Sequence, residues 1–78
     1  MTVDEIYENV YGRYSDILFQ YDAEDGEKEI VLYADTGSVQ IITDESYTYR
    51  TWDDMLAAPI YWGKTLEEIA DRVRSTEV

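Results

Sequence analysis

The sequence contains no cysteine and no histidine, and these two absences exclude much of the chemistry open to a small protein. Without cysteine there is neither a disulfide framework nor a thiolate that could bind a metal ion or attack a substrate. Without histidine, nucleophilic catalysis lacks its usual general base. We therefore expect no enzyme activity, no cofactor and no metal ion, and the lack of cysteine favours a cytoplasmic location.

Glycine and long apolar runs are scarce as well. The four glycines, at positions 12, 26, 37 and 63, are isolated, so no glycine-rich loop is present that could cradle a phosphate group. No apolar run approaches the roughly 18 residues that a membrane-spanning helix needs, and the first residues lack the basic and hydrophobic segments of a secretory signal. The sequence thus predicts a protein without a membrane partner.

Positive charge is scarce, whereas negative charge is abundant. Six Lys and Arg stand against 18 Asp and Glu, which gives a formal net charge of −12 in 78 residues. Such a charge attracts basic surfaces and repels nucleic acid, whose affinity for proteins comes largely from Lys and Arg. We therefore expect the partner to be an Arg- and Lys-rich protein surface and not nucleic acid itself. The charge does not set the oligomeric state.

The length allows a single domain, over residues 1–78. A chain of this size buries only roughly 60 to 65% of its unfolded surface, so its core must be thin. The hydrophobic content of 45%, with eight Tyr, two Trp and one Phe, is nevertheless typical of a folded protein. We expect a folded chain despite its charge.

The N-terminal residues predict a helix. Thr2 and Glu5 fit a capping box, and apolar residues follow at helical spacing. We expect this helix over residues 3–12, with Gly12 as its stop.

The middle of the chain predicts an antiparallel meander, because parallel strands would need longer connections than the sequence provides. Turn sequences at Asp25-Gly26 and Thr36-Gly37 separate segments in which apolar and polar residues alternate. A further alternation over residues 46–51 fits either a fourth strand or an extended loop. The three β-rich runs cover residues 16–22, 29–34 and 39–43. The core candidates on them are Ile17, Phe19, Ile30, Leu32, Val39 and Ile41.

The last third of the chain predicts helices. Residues 52–57 fit a short helix that ends before Pro59, since the residue before a proline disfavours helical geometry. Thr65 and Glu68 fit a second capping box, and the apolar spacing after it predicts a last helix from about Leu66 to Ser75. We therefore expect an α+β fold: a small antiparallel three- to four-stranded meander with an N-terminal helix and one or two C-terminal helices on one face.

Seven carboxylates are expected to converge at one edge of this sheet. In a meander, the end of the first strand, the start of the second and the end of the third all lie at the same edge. Carboxylates on alternate residues of a strand are about 6.6 Å apart, so they form a row of separate anionic groups, like backbone phosphates, and not a chelating pocket. An acidic tip that only keeps the protein soluble is the alternative. The candidate partner-binding residues are Asp22, Glu24, Asp25, Glu27, Glu29, Asp44 and Glu45.

The acidic segment that starts at Asp22 does not match a calcium-binding loop. An EF-hand needs Gly at position six and Glu at position twelve, between two helices. Counting from Asp22 places Gly26 at position five and Tyr33 at position twelve, and predicted strands flank the segment. Weak binding of a divalent cation is the most that this segment predicts.

In length, negative charge, lack of cysteine and element order, the whole chain resembles the small acidic phage proteins that inhibit CRISPR nucleases (anti-CRISPR proteins). The resemblance implies a stoichiometric inhibitor that mimics DNA, with carboxylates that contact Arg and Lys where DNA enters the nuclease. It also implies a location in the cytoplasm of the host cell. No sequence motif is shared, so the resemblance assigns no role to an individual residue.

The alternative function is a small interaction or regulatory domain. Tyr and Trp are enriched in interface hot spots, and this chain is rich in both. An exposed aromatic surface or a sheet edge would then bind the partner, which could be a second copy of the chain. A metal-dependent or catalytic role ranks third.

Overall fold

The computed structural model describes residues 1–13 and 17–75. It confirms the α+β fold, with short helices packed on an antiparallel sheet. The elements are helix α1 (Val3–Arg13), strands β1 (Ile17–Ala23), β2 (Gly26–Asp35), β3 (Ser38–Ile42) and β4 (Ser46–Tyr49), helices α2 (Trp52–Leu56) and α3 (Leu66–Ile69), a 3₁₀ turn (Ala70–Arg72) and strand β5 (Val73–Ser75). The five strands lie in the order β4-β3-β2-β1-β5, and each neighbouring pair is antiparallel.

Helix α1 begins at the predicted capping box. The backbone N–H of Glu5 donates to the Thr2 hydroxyl (3.2 Å), and the backbone N–H of Thr2 donates to the Glu5 carboxylate (2.9 Å). The helix continues through Gly12 to Arg13, so the predicted stop is one residue too early. A glycine inside a helix is unfavourable by only about 1 kcal/mol, which packing can offset. No helix within residues 1–13 and 17–75 is long and apolar enough to cross a membrane.

Two tight turns build the predicted meander. Glu24-Asp25 connects β1 to β2, and Thr36-Gly37 connects β2 to β3. Gly26 and Gly37 have φ angles of 131° and 80°, which glycine adopts without steric cost. Residues 46–49 form strand β4, so the choice between a fourth strand and a loop is settled in favour of the strand.

The core lies between the sheet and the helices. All six predicted core residues of the strands are at most 1% exposed, which confirms that prediction. They alternate with exposed or half-buried residues along each strand, so one face of the sheet supplies the core. The helix side contributes buried residues from α1, α2, α3 and the segment before α3, among them Ile6, Val10, Met55, Tyr61, Leu66 and Ile69.

The predicted last helix from Leu66 to Ser75 is wrong beyond Ile69. The chain passes through the 3₁₀ turn and then forms β5, in which Val73 lies opposite Tyr21 of β1. Val73 is 3% exposed, so the apolar residue that completed the helical pattern is buried as a strand residue. The outer edge of β1 offers backbone hydrogen bonds to this segment, and a β-branched residue suits a strand. The sheet therefore has five strands and not three or four.

The other side of the sheet, which we call the open face, has no helix of the described residues packed on it. Its central row comprises Leu18, Val31 and Ile42, which lie opposite one another across β1, β2 and β3. Polar residues surround this row, and Ile42 is 47% exposed. The protein thus has two layers, with a core on one side of the sheet only.

Candidate partner-binding surface

The structure places the seven predicted carboxylates, which we call the acidic end, around one end of the sheet. On the β1–β2 hairpin, Asp22 lies opposite Glu27, and Glu29 lies opposite Gln20. These side chains share the open face, because they alternate with the core-facing residues of the two strands. Like charges directly opposite each other repel, so the hairpin needs a cation nearby. All seven carboxylates are exposed.

Arg74 of β5 supplies that cation. Its Nη2 atom lies 2.8 Å from Glu27 Oε1 and 3.9 Å from Asp22 Oδ1, and its Nε donates to Gln20 Oε1 (3.2 Å). The three charged side chains are 53 to 59% exposed, so the ion pairs are worth only about 0 to 1 kcal/mol. The sequence does not predict this contact, because Arg74 falls within the predicted last helix. Arg74 reduces the repulsion without removing the negative charge of the hairpin.

The tip of the hairpin carries two further carboxylates. Glu24 and Asp25 form the turn, and Asp25 Oδ2 lies 3.4 Å from Lys28 Nζ. Lys28 lies on the helix side of the hairpin, opposite Tyr21, and its Nζ is 5.2 Å from the centre of the Trp62 ring. The positive charge of Lys28 therefore faces away from the open face.

Asp44 and Glu45 lie at the same end of the sheet but are set back from the tip. Strand β3 ends where Ile42 pairs with Val31, about 16 Å along β2 from Gly26. The structure thus corrects the expectation that all seven carboxylates reach one edge: the hairpin projects beyond β3. Asp44 accepts a hydrogen bond from Trp62 Nε1 (2.8 Å), and Glu45 accepts one from the Tyr47 hydroxyl (3.2 Å).

Trp62 connects the two groups of carboxylates. Its ring stacks on Tyr21 of the hairpin, with centroids 5.9 Å apart, while its Nε1 donates to Asp44 of the loop before β4. Two hydrogen bonds between Tyr61 and Lys64 close the turn that presents it. Trp62 has a φ angle of 54°, which residues with a side chain rarely adopt. The sequence alone does not predict this connecting role.

The charge of the acidic end is only partly compensated. Within residues 1–13 and 17–75, cations lie within ion-pair distance of Asp22, Asp25 and Glu27. The acidic members without such a cation in the described ranges are Glu24, Glu29, Asp44 and Glu45. Negative charge also occurs elsewhere, on α1, at the start of α2 and on α3, so the acidic end is one part of a broadly acidic surface.

The acidic end does not form a metal site among the residues that the structure describes. No three Asp or Glu side chains in these ranges are grouped closely enough to hold a metal ion. Separate carboxylates along two strands instead present a row of single charges.

Comparisons with models of protein families, with curated proteins and with solved structures found no match to this chain.

A second candidate surface is a group of aromatic rings between α1 and α2. Tyr7 and Tyr11 stack with centroids 4.4 Å apart, and both rings meet the edge or face of Trp52, at 5.2 and 5.8 Å. Tyr7 is 42% exposed, whereas Trp52 is 9% exposed. Burial, and to a lesser degree the neighbouring Tyr7, raise the pKa of Tyr11. This group offers aromatic contact area to a partner on the helix side.

Proposed function

We propose that this protein is a non-catalytic acidic binding module that occupies the nucleic-acid-binding channel of a basic protein, as a mimic of DNA. A CRISPR nuclease is the target that the resemblance in length, charge and element order suggests. The observation that carries the proposal is the set of four exposed carboxylates at one end of the sheet without a cation partner in the described ranges, namely Glu24, Glu29, Asp44 and Glu45.

The spacing of the hairpin carboxylates supports the mimicry of phosphates. Glu27 and Glu29 are alternate residues of β2 and lie about 6.6 Å apart along the strand, so each can meet a separate Arg or Lys. Charge-assisted hydrogen bonds to guanidinium groups are shorter and stronger than neutral ones. The weak, exposed pair between Arg74 and Glu27 can be replaced by a partner's arginine at little cost.

The mechanism would be competition. The hairpin would enter the channel in place of DNA, and its carboxylates would hold the side chains that otherwise contact phosphates. Electrostatic attraction gives fast association and an affinity that falls as the ionic strength rises. No bond is made or broken, and the inhibitor binds stoichiometrically.

A competition assay tests the proposal. Labelled DNA is bound to a Cas9-type nuclease and to other DNA-handling proteins, and its release by this protein is followed by fluorescence anisotropy. The test variant Glu24→Lys/Glu29→Lys changes two carboxylates that have no cation partner among the described residues, and it leaves the ion pairs of Lys28 and Arg74 intact. The control variant Glu8→Lys/Glu67→Lys makes the same change in net charge on α1 and α3.

We expect the wild-type protein and the control variant to release DNA. The test variant should need a concentration at least about tenfold higher for the same release, because two ion pairs with the target become repulsions. Equal competition by both variants would show that net charge alone acts and would contradict a defined site. Failure of the wild-type protein to release DNA from any basic protein tested would refute the mimicry of DNA.

A second candidate function is that of an interaction domain that uses the aromatic group of Tyr7, Tyr11 and Trp52. The exposure of Tyr7 favours it, since a stacked aromatic pair at the surface is a typical hot spot. Salt separates the two functions. A complex held by this aromatic group, including a homodimer, persists at 0.5 M NaCl in sedimentation experiments, whereas the complex of a DNA mimic dissociates.

A further inference from the structure

The open face combines an apolar centre with a charged border. Leu18, Val31 and Ile42 form a row across three strands, and Tyr33 follows two residues beyond Val31 on the same face of β2. Ile42 is 47% exposed, although it is a large apolar side chain. Neighbouring strands are about 4.8 Å apart, so the row is about 10 Å long. Leu18 and Val31 are half-buried, so the row is an apolar strip that is partly exposed, and a contiguous apolar strip at a surface is typical of a site that a partner covers.

Carboxylates flank this row on both of its sides, along β2. Toward the hairpin tip, Glu29 and then Glu27 follow Val31 on the same face of β2. Toward the other end of β2, Asp35 follows Tyr33 and is exposed. Arg74 of β5 also lies on this face, and it is already paired with Glu27. Whatever covers the row must therefore lie beside several carboxylates.

A second copy of the chain is a poor occupant. Two open faces packed together would bring the acidic borders of both copies into contact in either orientation, because carboxylates lie on both sides of the row. Each copy has a net charge of −12, so the repulsion would oppose association. A partner with positive charge instead gains from the same border.

We propose that the open face is a docking surface for a cationic amphipathic helix of the partner. This inference rests on the proposed function, because it specifies which element of the basic partner is bound. Apolar residues spaced three to four apart on a helix are about 5 Å apart along its axis, which matches the spacing of Leu18, Val31 and Ile42 across the strands. Basic residues that flank this stripe then meet Glu27, Glu29 and Asp35, and the helix packs as a further layer on the open face.

Two peptides test the inference by isothermal titration calorimetry at 0.15 M NaCl. One is a helical peptide of about 14 residues built from Leu and Lys with a single apolar face. The other is an oligolysine with the same number of Lys. We expect the wild-type protein to bind the amphipathic peptide at least about tenfold more tightly, because the oligolysine has nothing to place on the apolar row.

Two variants locate the binding. In Val31→Thr/Ile42→Thr, both replacements are β-branched and favour strands, so the fold is kept, while the row becomes polar. We expect this variant to lose about tenfold in affinity for the amphipathic peptide and none for oligolysine. The variant Glu24→Lys/Glu29→Lys should bind both peptides with lower affinity. In the wild-type protein, the amide NMR signals of Leu18, Val31 and Ile42 should shift on addition of the amphipathic peptide.

Three outcomes would overturn the inference: equal affinity for the two peptides, NMR shifts centred on Tyr7 and Tyr11, or self-association of the wild-type protein that Val31→Thr/Ile42→Thr abolishes. The last outcome would assign the open face to a second copy of the chain. None of these outcomes changes the result of the competition assay that measures the release of DNA. Failure of that assay, with the amphipathic peptide still bound to the open face, would instead refute the mimicry of DNA alone.

Discussion

Trp62 is held in a conformation that is unfavourable for its residue type. Both central residues of its turn have positive φ angles, 54° at Trp62 and 85° at Gly63, which is the feature of a type I′ turn. Asn or Gly is the usual choice at the first of these positions, and other residues are destabilised there by about 1 to 2 kcal/mol. The stack on Tyr21, the hydrogen bond to Asp44 and the nearby Lys28 ammonium offset that strain.

The strain at Trp62 predicts an unusual order of stability for two variants. Trp62→Ala keeps the positive φ but loses the stack and the hydrogen bond, so we expect it to be about 2 to 3 kcal/mol less stable than the wild type. Trp62→Gly loses the same contacts, but glycine adopts a positive φ angle without strain. It should therefore be about 1 kcal/mol more stable than Trp62→Ala. Urea unfolding measures both. A glycine variant less stable than the alanine variant would show that the turn is not strained.

Tyr61 predicts a change of stability in alkaline solution. Burial raises the pKa of its hydroxyl well above the ordinary value of 10.0, and the hydroxyl donates to Met55 Sδ (3.0 Å). Above pH 10 the unfolded chain loses this proton while the folded protein keeps it, so stability falls as the pH rises, by about 1.4 kcal/mol per pH unit.

Tyr61→Phe tests this dependence. At pH 7 the variant should be less stable by about 0.5 to 1 kcal/mol, because it lacks the hydrogen bond to Met55. Between pH 10 and 11 the deficit should shrink or reverse, because phenylalanine has no proton to lose. Urea unfolding at pH 7, 10 and 11 measures the difference. A deficit that stays constant over this range would contradict the burial of the Tyr61 hydroxyl.

At the scale of single elements, the sequence predicted the starts of helices better than their ends. Both capping boxes occur as predicted, because they depend on residues three apart in the chain. The end of α3 was missed because Val73 fits the apolar face of a helix and also fits a buried strand position. Val73 forms a strand because it pairs with the edge of β1, which is distant in sequence, where it lies opposite Tyr21. Local spacing carries no information on such a contact.

The capping box of α3 predicts a loss of stability in acid. Glu68 accepts hydrogen bonds from the Thr65 backbone N–H (3.0 Å) and hydroxyl (3.1 Å), and these contacts lower its pKa below the ordinary value of 4.5. A lowered pKa in the folded state means that the stabilisation is present above pH 4.5 and is lost as the pH falls through the folded value.

Glu68→Gln should therefore be less stable than the wild type at pH 7, and the difference should shrink as the pH falls through the lowered pKa of Glu68. Thermal unfolding followed by circular dichroism at several pH values measures the difference. Glu67→Gln serves as the control, because it removes a neighbouring charge that takes no part in the capping box. A deficit of Glu68→Gln that does not depend on pH would show that its carboxylate is not the acceptor.

At the scale of the whole molecule, the net charge of −12 opposes folding. The molecule measures 34 × 27 × 20 Å. The Debye length at 0.01 M salt is about 30 Å, so at low salt the negative charges repel one another across nearly the whole molecule. At 0.5 M the repulsion acts only between close neighbours. We expect the unfolding temperature to rise by about 5 °C between these concentrations of NaCl, or about 1 kcal/mol.

The control variant Glu8→Lys/Glu67→Lys should be more stable than the wild type at low salt and should respond less to added NaCl. Differential scanning calorimetry measures both effects. An unfolding temperature that falls with salt would show that attractive ion pairs outweigh the repulsion.

The sequence predicts where the hairpin carboxylates lie but not how the acidic end is arranged. Charge and turn sequences pointed to the hairpin carboxylates, and the structure shows Asp22, Glu27 and Glu29 on one face. The set-back position of Asp44 depends on where β3 ends, and the contribution of Arg74 depends on a pairing between the two halves of the chain. Neither of these two features can be predicted from residues close in sequence. The open face can be predicted only once the register of all the strands is known.

The projecting tip of the hairpin has a mechanical consequence. Beyond Tyr21, neither β5 nor β3 pairs with the hairpin, so residues 22–27 form a ribbon of only two strands. Two-stranded ribbons twist more strongly than wide sheets and open more easily than the centre of a domain. We therefore expect the acidic tip to twist and open more easily than the five-stranded sheet behind it.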